Sequence, residues 1–178
     1  MLTATDLHII LPAASGANID KFWQPLNDTM DEFQINTAAR QAAFLAQTGH
    51  ESGSLRYVRE LASGADYDVG RKAVSLGNTP EDDDDGEYHR GAGLIQITGK
   101  ANQFACADYF GVPRENIVEW LQTPEGAARS AGWFWSTHGC NELADSGNFQ
   151  KLTRRINGGL NGLADRMAIW KRAKEQLA

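Results

Sequence analysis

Two stretches of this chain carry alanine at helical spacing, each opened by a threonine, and they commit it to a mainly helical fold. Asn36 or Thr37 caps the first, where Ala39, Ala42, Ala43 and Ala46 recur up to about Thr48, before Gly49 and Gly53 punctuate it. Thr123 as cap and Pro124 at the first helical position open the second, which carries Ala127, Ala128, Ala131, Phe134 and Trp135 and ends near Gly139. A last helix follows Gly162, with Leu163, Met167, Trp170 and Leu177 expected on one face. Residues 64–93 are rich in glycine and aspartate, and read as loop with short helical or hairpin pieces. With no repeat and no linker, residues 1–178 read as one domain.

A chain of 178 residues buries roughly 70% of its unfolded surface. A net charge of −6 argues against nucleic acid as a partner. The charge is uneven: from Lys151 onward seven Lys and Arg face two acids, a local +5 that reads either as help for an acidic protein approaching anionic surfaces or as a solvated helix end complementing its own dipole. No apolar run approaches the ~20 residues that span a bilayer, so stable membrane insertion is not expected. Leu7 to Leu11 is too short for a signal-peptide core and follows Asp6, so synthesis in the cytoplasm without an export signal is expected. Cys106 and Cys140 read as two reduced, half-buried thiols.

Several catalytic patterns fail on spacing. His50-Glu51 would need a histidine at Ser54 to bind zinc as HExxH. Asp82 to Gly86 would need a carboxylate at Ala92 to close a calcium loop, so it reads as a solvated acidic run. Ser52 lies in no GxSxG elbow. The cluster Trp133, Phe134 and Trp135 sits inside a helix and is expected mostly in the core. No metal or cofactor is expected.

What remains is a pair of carboxylates, Glu51 and Glu60. Glycosidic hydrolysis needs a protonated acid at the leaving oxygen and an ionised carboxylate to activate water. Glu51, at the end of an apolar helix, has a setting that favours a protonated carboxyl by desolvation. On one straight helix the two glutamates would point to opposite sides, since nine residues make two and a half turns. They can face one cleft only if the chain turns after Glu51, and Gly53 permits that turn.

The stretch Gln47-Thr-Gly-His-Glu-Ser-Gly53 resembles the catalytic motif of glycoside hydrolase family 19, the chitinase-like group. Arg90-Gly-Ala-Gly-Leu-Ile-Gln-Ile-Thr-Gly99, continuing to Asn102, resembles its second signature, and Ile156-Asn-Gly-Gly159 its third. Gly70-Arg-Lys, Leu76-Gly-Asn-Thr and Ala127-Ala-Arg-Ser-Ala-Gly-Trp-Phe-Trp135 resemble the phage endolysin branch. The resemblance runs over about residues 15–175. It implies a lysozyme-like, mainly α-helical domain with a cleft and a small loop or hairpin lobe, and an inverting mechanism. Glu51 stands at the position of the general acid, Glu60 at that of the general base, and Thr98 at that of a hydroxyl holding the attacking water. His50, Gln96, Asn102 and Asn157 match positions that line the substrate cleft. Arg166 resembles an arginine that supports the carboxylates' charge state, although a solvated helix face also accounts for it. As bare pattern, Leu94 to Thr98 is an alternating strand, and Asn157 a turn residue. The branch follows its second glutamate with Asn and then an Asn-Tyr pair, where this chain reads Glu60-Leu-Ala-Ser-Gly-Ala-Asp-Tyr67.

The expected activity is that of an endolysin: hydrolysis of β-1,4 bonds in bacterial peptidoglycan, acting on the wall after release from the host cytoplasm. It is expected as a monomer with no separate wall-binding domain. Two alternatives stand beside it, a chitinase acting on GlcNAc polymers and a non-catalytic glycan-binding module. Binding alone does not need Glu51, Glu60 and Thr98 together.

Overall fold

Thr37, not Asn36, starts the first alanine-rich helix: its hydroxyl accepts the backbone N–H of Arg40 at 3.2 Å and caps α3 (Ala38–Glu51). The helix continues past Thr48 to Glu51, with Gly49 tucked under Leu11, whose side chain a Cβ would meet at 2.6 Å. Thr123 accepts the N–H of Gly126 at 3.0 Å and, with Pro124, opens α8 (Pro124–Thr137); Gly139, at φ +63°, follows its end.

The computed structural model describes residues 1–178. Around α3 and α8 stand α1 (Ala4–Ile10), α2 (Gly16–Glu32), α6 (Lys100–Phe110), α7 (Ile117–Trp120), α9 (Cys140–Asp145), α10 (Phe149–Asn157) and α11 (Leu163–Gln176). Pairs α3–α11 and α2–α8 form the principal packing surfaces. One contiguous cluster of 36 buried apolar residues, from Leu2 to Ala173, forms a single core. Trp135 anchors it, edge-on to Phe44 at 5.3 Å, and its indole N–H reaches Asn141 Oδ1 at 2.8 Å. No helix is long and apolar enough to cross a membrane.

Several local expectations are corrected. The inner face of α11 is Arg166, Ile169 and Ala173, whereas Met167 is 45% exposed. Both cysteines are free and fully buried rather than half-buried, and burial pushes each thiol up to about 12. No strand forms at Leu94 to Thr98; Leu94, Ile95 and Ile97 are all buried, so the chain turns to bury them, with only isolated bridges Arg59–Ala92 and Ala92–Ile97. The +5 segment is dispersed: Arg166 is buried, Arg172 donates to Ile10 O at 3.0 Å, and the Lys174 ammonium lies 3.9 Å from the Trp170 ring centroid.

Residues 64–93 form a small lobe without a hairpin: a 3₁₀ turn (Ala65–Tyr67), α4 (Gly70–Leu76) and α5 (Asp85–Tyr88). Hydrogen bonds hold it. Asp68, 2% exposed, accepts the N–H of Asp84 at 2.9 Å and of Gly86 at 2.7 Å. Asn78 donates to Tyr67 O and accepts the N–H of Lys100, tying the lobe to α6. Of the acidic run, Asp82 to Asp84 are exposed, but Asp85 pairs with Lys100 at 3.1 Å.

Candidate active site

Glu51 ends α3 beside α11. Arg166, only 1% exposed, donates to Glu51 Oε1 at 2.5 Å, to Gln47 Oε1 at 2.6 Å and to Asn161 O at 3.1 Å. Gln47 lies one turn before Glu51, so both present oxygens to the same guanidinium. Gln47 in turn donates to Thr153 Oγ1 at 2.9 Å, and Thr153 to Phe149 O. Arg166 is therefore no solvated helix face. Glu51, at 19% side-chain exposure, is largely buried as expected, but against the Arg166 guanidinium rather than in an apolar pocket. Breaking one partner of such a buried pair costs about 3–5 kcal/mol, because the other charge is left uncompensated.

After Glu51 the chain reverses. Gly53, Ser54 and Leu55 have φ of +57°, +61° and +64°, three successive left-handed residues. For the two with side chains this costs roughly 1–2 kcal/mol each. Ser52 offsets part of it: its buried hydroxyl donates to Thr48 O at 2.7 Å and accepts the N–H of Leu55 at 2.9 Å. Leu55 is then buried at 1% exposure, worth ~1.5–3 kcal/mol. Gly53 does supply the turn the two-carboxylate reading required, but Ser54 and Leu55 share it.

Beyond the turn, Val58 to Glu60 run beside Gly91 to Gly93, with Glu60 N–H on Gly91 O at 2.8 Å. Both Glu60 oxygens are held: Tyr67 OH donates to Oε1 at 2.8 Å and Gly91 N–H to Oε2 at 2.9 Å. Burial and this contact push the Tyr67 hydroxyl up to about 12, so it stays a donor. Gln96 has φ +58°, a conformation that persists in a non-glycine residue only where its surroundings enforce it. Gln103, fully buried, provides part of that enforcement. Its amide donates to Ile97 O and Arg90 O at 2.9 and 3.1 Å, and its oxygen meets His89 Nδ1 at 2.7 Å. Thr98 Oγ1 donates to Gln96 O at 3.1 Å, and Asn102 donates to Thr98 O at 2.8 Å.

These constraints focus three oxygens on one point. A methyl group placed on Gly91 would lie 2.9 Å from Gln96 Oε1, 3.1 Å from Glu60 Oε2 and 3.2 Å from Thr98 Oγ1. That position is only a bond length from Gly91 Cα, so it marks a carboxylate, a hydroxyl and an amide oxygen clustered around Gly91 rather than the seat of a water.

Gln96, Thr98 and Asn102 also line a cavity of about 260 Å³, with Trp133, Phe134, His138 and Ile156 among its walls. That is just below the ~300–1,000 Å³ typical of sites that enclose a small ligand, and suits one unit of a longer polymer. Trp135 is in the core as expected, and Trp133 and Phe134, partly buried and packed against that core, also present a face to the cavity. His138 stacks on Phe134 at 3.8 Å. Asn157 follows Ile156 at the end of α10, its Oδ1 buried without a hydrogen-bond partner. His50 is placed apart from this cavity's walls: its Nδ1 meets Asp165 Oδ2 at 2.6 Å and its ring packs on Gly162, docking α11 onto α3. The sequence reading missed Gln47, Tyr67, Gly91 and Gln103. Only Gln47 left a local signal, its four-residue spacing from Glu51.

No family model matches the chain. It is 29% identical over 199 residues to a glycosyl hydrolase family 19 domain-containing protein of Haemophilus influenzae, across 96% of this chain and 94% of that one. It is 34% identical over 133 residues to an endochitinase of Arabidopsis thaliana, covering 74% of this chain but 44% of the relative. In structure it resembles chitinase C from Streptomyces griseus, with a TM-score of 0.76 and 19% identity over 99% of this chain and 76% of that one.

Proposed function

The chain belongs to glycoside hydrolase family 19, and from that premise we propose that it hydrolyses β-1,4 bonds of bacterial peptidoglycan with inversion, as an endolysin of lysozyme-like activity. The enzyme class is a glycoside hydrolase; the substrate and the residue roles are our reading. The clustering of Glu60, Thr98 and Gln96 oxygens around Gly91 carries it.

Glu60, pinned through both oxygens, is the general base. It takes a proton from a water that Thr98 and Gln96 orient for attack at the anomeric carbon. Glu51, once protonated on its free oxygen, is the general acid, delivering that proton to the leaving oxygen. Arg166 fixes Glu51 Oε1, leaving Oε2 for the glycosidic oxygen, and balances the carboxylate left after transfer. Inversion requires the two carboxyl groups to stand roughly 6.5–9.5 Å apart, with the water between them. Asn102 and Asn157 supply amides that both donate and accept, as N-acetyl groups require.

Peptidoglycan is preferred to chitin on the resemblance of the segments at Leu76 to Thr79 and Ala127 to Trp135 to endolysins, and these segments help to build the site. Leu76, Trp133 and Phe134 wall the cavity, and Asn78 fastens the lobe that carries Tyr67. The competing reading, a chitinase, is supported by the plant relative being an endochitinase. Digests of purified walls and of soluble GlcNAc oligomers, analysed by mass spectrometry and anomer-resolved NMR, separate the two. Muropeptides released as α-anomers are expected. Cleavage of the oligomers with walls untouched would establish the chitinase instead.

A further inference from the structure

We propose that Arg155, backed by Lys151, forms a cationic rim that selects glycan carrying anionic peptide side chains. This rests on the peptidoglycan reading and names the part of that substrate the enzyme recognises outside the sugar chain.

Arg155 immediately precedes Ile156, a wall of the cavity, and its Nη1 donates to the backbone oxygen of His138, another wall, at 2.6 Å. The guanidinium is thereby held at the cavity edge with its remaining N–H donors facing outward. Arg155 is exposed, and neither it nor Lys151 has an acidic partner within ion-pair distance. Lys151 lies one helical turn before it on α10, so both cations project from the same side.

Three other arginines are paired with acids, Arg40 with Asp145, Arg114 with Asp108 and Arg129 with Glu32 and Glu125, while Arg56, Arg71 and Arg154 are exposed without such a partner; of the cations without an acid, Arg155 is the one bonded to a wall residue of the cavity. On a chain of net charge −6, two cations without an ion-pair partner stand at the edge of the cavity. Neutral GlcNAc polymer offers them nothing, whereas stem peptides present carboxylates a few ångströms from the glycan backbone. An arginine fork with free donors takes such a carboxylate in two hydrogen bonds.

The hydrogen bond to His138 O also caps the end of α8, so the test must separate recognition from folding. Kinetics of Arg155→Gln, Arg155→Lys and Arg155→Glu with Lys151→Glu are measured on native walls and on walls whose carboxylates have been amidated. On native walls the double reversal is expected to raise KM roughly tenfold with kcat little changed, and Arg155→Lys to restore most of the loss. On amidated walls the wild type and the variants should coincide, and thermal unfolding of Arg155→Gln should match the wild type. Equal losses on both walls, or no loss on either, overturn the rim while leaving the peptidoglycan activity standing. A wild type that cleaves neutral oligomers and neither wall overturns both.

Discussion

Arg166 Nη2 lies 2.5 Å from Glu51 Oε1, joining residues 115 positions apart in the chain with the guanidinium almost sealed from solvent. The same guanidinium holds Gln47, so the end of α3 and the start of α11 are locked where the acid is needed. A carboxylate held this way has one oxygen committed to the protein and one free for chemistry.

Glu51→Gln should therefore fold, since the amide oxygen can still accept from Arg166, yet lose at least ~10³-fold of the wall-lytic rate. General acid catalysis is typically worth ~10²–10⁴-fold. Turbidity clearance of purified walls measures it, with thermal unfolding as the control. A folded variant retaining a tenth of the rate would remove Glu51 from the mechanism.

Gly91→Ala tests the focused oxygens. The new methyl would meet Gln96 Oε1, Glu60 Oε2 and Thr98 Oγ1 at 2.9–3.2 Å, so these side-chain ends, not the backbone, must give by a few tenths of an ångström. The melting temperature should hardly move, while activity falls roughly 10²-fold, the cost of a misplacement of about 1 Å. Unchanged turnover would show that the three oxygens do not act together.

Tyr67→Phe removes one of the two anchors of Glu60 and keeps the ring. A hydrogen bond to a charged group is worth ~1.5–3 kcal/mol, so kcat should drop roughly tenfold or more. KM should stay near the wild-type value, because Tyr67 orients the base rather than the sugar. A rise in KM at constant kcat would make it a substrate contact instead.

Thr98→Ser should keep substantial activity and Thr98→Ala lose much of it, since the hydroxyl is what positions water. Equal losses from both, in folded proteins, would contradict that role.

His89 gives the fold a pH dependence. Its burial lowers the imidazole from its usual 6.5, although Gln103 and Asp85 work in the opposite direction. The folded state thus binds the proton more weakly than the unfolded chain. Above pH 6.5 the group is neutral in both states and costs nothing; as pH falls through 6.5 the unfolded chain protonates first, and stability declines until the folded value is reached. Urea unfolding between pH 7.5 and 5 should show this decline, and His89→Gln should flatten it. A slope unchanged in the variant would assign it to other groups.

The sequence by itself determined the features that depend on neighbours a few residues away. Thr37 and Thr123 cap their helices because a cap is a bond to a backbone N–H three residues on. Glu51 falls at a helix end, and Gly53 permits a reversal, for equally local reasons. The motif resemblance ordered the candidates along the chain. Tertiary structure alone decided the rest. Met167 and Arg166 are neighbours on one helix, and only the docking of α11 on α3 exposes the first and buries the second against Glu51. Leu94 to Thr98 has the alternation of a strand, but with no partner strand its apolar residues are buried by a turn that Gln103 holds from another helix. Tyr67 reaches Glu60, and Trp133, packed against the core, also forms a cavity wall, through contacts between segments that no periodicity relates. Local hydrogen bonds and spacing are written in consecutive residues; burial and convergence belong to the packed chain.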